Sequence, residues 1–102
     1  MIKEEFEFKL PKGLIDANGE LHDRGKMKLL TASDELIVQD LSNRDRNIDI
    51  VFLLLSQAIA KLGSLNKVTP QLLEQLFLPD FLYLQNLFGQ LQPQNMTTSG
   101  ES

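Results

Sequence analysis

His22 is the only histidine in the chain, and Asp16, Glu20 and Asp23 lie within six residues of it. An imidazole among carboxylates is the raw material of an acid–base pair or of a mixed nitrogen–oxygen metal site. Asp16, Asn18 and Glu20 also alternate around Gly19, in the manner of a calcium-binding loop. The spacing does not fit, because such a loop needs its glycine after three liganding positions and a bidentate Glu well downstream. No nucleophile motif accompanies His22. Gly13, Gly19 and Gly25 recur every six residues but lack the strand-to-helix setting of a phosphate cradle. Turn formation accounts for the same residues more simply, so no catalytic residue, cofactor or metal is expected.

The elements that would hold these residues can be read from hydropathy. Glu5-Phe6-Glu7-Phe8-Lys9-Leu10 alternates charged and apolar side chains, the period of a half-buried strand. Pro11 and Gly13 are expected to close it. Asp16-Ala17-Asn18-Gly19 carries hairpin chemistry, since Asn-Gly readily takes positive φ. Leu21 and His22 would start a return strand interrupted at Asp23-Arg24-Gly25, and Lys26–Leu30 reads as a second strand. Residues 4–30 thus form an antiparallel unit.

The rest reads as helical. Thr31 or Ser33 would begin it: Thr31-Ala32-Ser33-Asp34 resembles a capping box, predicting a helix over about 32–40 before a polar loop, 41–46. Asn47 would cap a main helix from Ile48 to about Leu62, stopped by Gly63. Thr69-Pro70 starts a helix over 70–77, and Pro79 restarts one through Leu91. Phe77, Phe81, Leu84 and Phe88 share one stripe of that last segment and are expected in the core. Leu82 and Tyr83 fall off the stripe, so Leu82, Tyr83, Gln85 and Gln90 are candidates for an outward, partner-binding face. Residues 92–102 have no apolar pattern and read as a disordered tail. The expected architecture is α+β, a single domain over 1–91 with an N-terminal hairpin-like unit packed on three to four helices.

Composition narrows the function. The chain has 102 residues, no cysteine and a net charge of −4. Without thiols there are no disulfides, thiolate zinc sites or thiol nucleophiles, and a small disulfide-free domain is more often intracellular. The acidic balance argues against binding nucleic acid or anionic membrane. No apolar run is long enough to span a bilayer. Of 24 charged residues, 18 lie in 1–46, whereas 13 of the 20 leucines lie in 47–102. A helical half so poor in charge needs either a deep core or a partner.

One further signal is the order of the turn and cap residues. Leu10-Pro11-Lys12-Gly13, Asp16, Gly19, His22, Gly25, Met27–Ala32 with Asp34-Glu35, then Leu54-Leu55, Leu62-Gly63, Val68-Thr69-Pro70, Leu76-Phe77, Asp80 and Tyr83-Leu84-Gln85 stand in sequence. Over about residues 6–91 this string resembles the small phage tail assembly proteins found with the tail-tube genes of contractile tailed phages and related injection systems. Leu30 and Gln57 depart from that pattern, where alanine and a basic residue are usual, and Ile48–Val51 fits less closely. The resemblance implies a non-enzymatic, chaperone-like factor that binds tail-tube or tape-measure subunits in the cytoplasm of the producing bacterial cell, with homo-oligomerisation open. The alternative is a structural subunit retained in the tail or baseplate.

Overall fold

The chain first folds back on itself at Asp16–Glu20. The Asp16 N–H donates to the Glu20 carbonyl at 2.9 Å and the Gly19 N–H to the Asp16 carbonyl at 2.9 Å. Gly19 takes φ +84°, as the Asn-Gly pair predicts. In this computed structural model, which describes residues 5–65 and 67–92, the turn joins β1 (Glu5–Ile15) to β2 (Leu21–Lys28). There follow α1 (Ala32–Arg44), α2 (Ile50–Ala58), β3 (Ile59–Leu62), α3 (Pro70–Leu73) and α4 (Leu78–Leu91). The strands form one antiparallel sheet in the order β1-β2-β3. The fold is α+β: α4 packs against β1 and α2 against β3, and α1 and α3 pack on α2.

β1 does not stop at Pro11 and Gly13, as the sequence suggests. It continues to Ile15 through a bulge, where Leu10, Pro11, Lys12 and Gly13 stand against Asp23 alone, between the Lys9–Arg24 and Leu14–His22 pairs. Proline has no N–H to give a ladder and is tolerated at such a break. Gly13 sits at φ +95°. Gly25 is no turn residue either: it lies within an unbroken β2, opposite Phe8 on one side and Leu62 on the other. A Cβ there would collide with the Lys61 carbonyl and the Phe8 ring. The glycine allows close approach of two neighbours.

The main departure from expectation is β3. The helix predicted over 48–62 begins only at Ile50, with Asp49 rather than Asn47 as its cap (Asp49 Oδ1 accepts from the Val51 N–H at 2.9 Å), and it ends at Ala58. The next four residues turn extended and pair with β2. Ile59 and Leu62 are both buried, a spacing of three that a helix produces and a regular strand does not. The register explains it: Ile59 pairs with Met27 and Lys61 with Lys26, leaving Ala60 as an extra residue. That bulge rotates Ile59 and Leu62 onto one face.

The remaining helices need smaller corrections. Thr31 caps α1 in a complete capping box with Asp34. The helix then runs through the predicted loop to Arg44, where an Arg44–Asp40 ion pair of 3.1 Å lies along its exposed side. Thr69 caps α3 as expected, but the helix is a single turn, not 70–77. Phe77 lies at the N-cap of α4 with φ −66° and ψ 150°, off the helical stripe, and is 55% exposed. Gln92, assigned by composition to the tail, is buried and held by hydrogen bonds; residues 93–102 lie outside the described residues.

The core is a single cluster in which Phe8, Leu10, Leu14 and Met27 of the hairpin meet Leu55, Ala58, Ile59, Leu62, Leu73 and Leu84. Aromatic contacts close its rim. Phe52 of α2 stacks on Phe81 of α4 with centroids 4.9 Å apart, and Tyr83 meets the Phe8 ring edge-on at 6.4 Å. Val38 of α1 and Leu53 of α2 are also buried, and those two helices pack on each other.

Candidate functional site

The structure brings three of the four polar residues singled out above together. Asp16, Glu20 and His22 each place a potential ligand atom within 4.8 Å of the others; Asp23 is not among them. His22 is 3% exposed, and both ring nitrogens have partners. Nδ1 accepts from the Ser64 N–H at 3.3 Å, so the ring proton belongs on Nε2, which donates to Asp16 Oδ2 at 2.8 Å. The other Asp16 oxygen accepts the Asn18 and Glu20 N–H groups at 2.8 and 2.9 Å. These bonds, with the His22 bond the strongest influence, hold the Asp16 carboxyl below its ordinary pKa. Gly63, at φ +58°, passes directly against the ring, where a Cβ would collide with it. The arrangement ties the hairpin turn to the segment after β3 and engages both His22 nitrogens and both Asp16 oxygens.

Three other polar residues, Asp80, Gln92 and Asp34, do comparable work. Asp80, in the first turn of α4, is fully buried. Its two oxygens accept the Lys12 and Gly13 N–H groups of the β1 bulge, each at 2.8 Å. The bulge therefore presents two unpaired donors and the helix supplies the carboxylate that satisfies both. Gln92, just past α4, accepts from the Leu30 N–H at 2.9 Å and donates to the Lys28 carbonyl at 2.8 Å. Asp34 collects Thr31, Lys28 and Gln57 around one buried carboxylate. Burial pushes its pKa up, but the Thr31 and Lys28 hydrogen bonds outweigh that and leave it lowered.

What these residues leave free is the outward face of α4. Leu78, Leu82, Gln85 and Gly89 follow one another at helical spacing along it, with Asn86 and Gln90 beside them, and all six are exposed. Leu78 is 65% and Leu82 51% exposed. The single charge in the whole helix, Asp80, is on the buried side, so this face carries none. Leu82, Gln85 and Gln90 thus stand where the sequence places them, on the surface. Tyr83 does not: it is half-buried against Phe8 and belongs to the rim of the core. Phe77 and Leu78, expected in the core or unremarked, extend the exposed apolar surface. The signal for Phe77 is Pro79, whose place in the first turn fixes where the helix begins and leaves Phe77 ahead of it.

Among the described residues, no helix is long and apolar enough to cross a membrane. No protein-family model, curated protein or solved structure matches this chain.

Proposed function

We propose that the chain is a non-enzymatic, phage-type tail assembly protein. It acts as a chaperone-like factor that covers hydrophobic surface on tail-tube or tape-measure subunits until they assemble. The observation that carries the reading is the charge-free outward face of α4, where Phe77, Leu78 and Leu82 are each more than half exposed. Apolar side chains rimmed by uncharged amides suit a protein interface better than open water. The sequence resemblance supplies the partner class. The polar residues that carry the resemblance (Gly13, Asp16, Gly19, His22, Gly25, Asp34, Gly63 and Asp80) serve turns, caps and close backbone contacts of one scaffold, which fits a binding role better than a reaction.

Quantitative mass spectrometry of the producing-cell lysate and of the purified mature particle tests this, with the protein tagged for co-purification. Recovery with soluble tube or tape-measure subunits, and absence from the particle, is the expected result. Stoichiometric presence in the particle would make it a structural subunit instead.

A further inference from the structure

The strands carry a chemically different surface. Strand register aligns Glu7, Lys26 and Lys61 in one row across all three strands, and Lys9 with Arg24 in the next. Neighbouring strands lie about 5 Å apart and successive same-face residues about 7 Å, so four cations share a patch on the order of 10 Å across. Together with Glu7, Phe8, Gly25, Gly63 and Tyr83, the last from α4, they line an open groove of about 560 Å³. Among the described residues, the ion pairs involve His22, Lys28 and Arg44, and none of the four groove cations.

Like charges directly opposite one another on a sheet destabilise it. Here Lys9 faces Arg24, and Lys26 faces Lys61, with one carboxylate, Glu7, to offset them. Lysine on an edge strand commonly serves to block edge-to-edge pairing. That explanation covers Lys9 and Lys61 but not Arg24 and Lys26, which are on the central strand. The fold retains a repulsive arrangement that an acidic ligand would relieve.

We propose that this groove binds a short, extended, acidic polypeptide segment of a partner protein. A peptide of a few residues fits within the patch. A nucleic acid duplex does not match it: strong phosphate binding draws on roughly six to ten contacts, and the patch offers four cations. Outside the groove, whose four cations and Glu7 sum to +3, the chain carries a net −7, since it is −4 overall, which repels a longer polyanion. The proposal is independent of the tail-assembly reading and of the α4 face.

The test is fluorescence anisotropy of the full chain with a labelled peptide of alternating glutamate and valine, a lysine–valine counterpart, and a labelled DNA duplex longer than the patch. Saturable, salt-sensitive binding of the glutamate peptide alone is expected. Lys9→Glu with Lys61→Glu should weaken it about tenfold or more, while Arg46→Glu with Lys67→Glu, the same charge change outside the groove, should leave a much smaller effect. The first pair should also raise Tm, because each new carboxylate faces a cation across the sheet. Equal losses in both double variants, tighter binding of the duplex, or no saturable peptide binding would overturn the proposal. So would peptide-free self-association that Lys9→Glu/Lys61→Glu abolishes, which would assign the groove to a second copy.

Discussion

At the scale of single residues, the carboxylates do structural work. Asp80 is the sharpest case, because two backbone N–H groups of the β1 bulge depend on it. Asp80→Asn would keep one accepting oxygen and aim an amide donor at the other N–H. We expect a loss on the order of 3 kcal/mol, or roughly 15 °C in Tm for a domain of this size, read by thermal melting. Asp34 gives a pH dependence. Its carboxyl pKa is lowered in the folded chain, so its contribution is complete above the unfolded value of about 3.9 and is lost as pH falls through the folded value. Urea melts between neutral and acidic pH should show stability falling on acidification, and Asp34→Asn should flatten that fall while also lowering the neutral-pH stability. Asp16 adds to the same slope with the same sign.

At the scale of elements, the glycines separate packing from propensity. Gly25 is enclosed by the Phe8 ring and the Lys61 carbonyl, so Gly25→Ala must push β3 away from β2. Backbone cannot yield as a flexible side chain does, and a cost of about 2–3 kcal/mol is expected, with broadened signals for β3 in amide spectra. Gly89, in the exposed interior of α4, has nothing within 4 Å of a would-be Cβ. Gly89→Ala should therefore raise stability by about 0.5–1 kcal/mol through helix propensity alone. The same contrast shows how elements were and were not legible. Thr31-x-x-Asp34, Thr69-Pro70 and Asn18-Gly19 are local signals whose partners lie within a few residues, and all three occur as read. β3 was illegible because Ile59 and Leu62 keep helical spacing, and only pairing with β2 around the Ala60 bulge makes an extended segment the better solution.

At the scale of the whole molecule, the two broad surfaces differ in kind. α4 turns an uncharged, leucine-bearing face outward, and the sheet turns four cations outward. Leu78→Ser with Leu82→Ser should alter the melt by no more than about 1 kcal/mol, because both side chains already face water. On the function proposed above, co-purification with tail-tube or tape-measure subunits should nonetheless be lost; an unchanged yield of partner would remove the α4 face from the interaction. Leu55→Asp, by contrast, should prevent folding altogether, as it would place an unpaired charge at the centre of the core.

The sequence by itself determined the α+β class, the hairpin turn, the caps of α1 and α3, and the charge-poor character of the helical half. Each depends on interactions between neighbours in the chain or on composition, which survive without knowledge of the fold. Only the tertiary structure decided that His22 is engaged at both nitrogens, that Asp80 satisfies a bulge 67 residues away, that Tyr83 turns inward and Phe77 outward, and that four dispersed cations share one groove. Those outcomes depend on strand register and on which buried donor meets which acceptor, and hydropathy does not encode such pairings between distant residues.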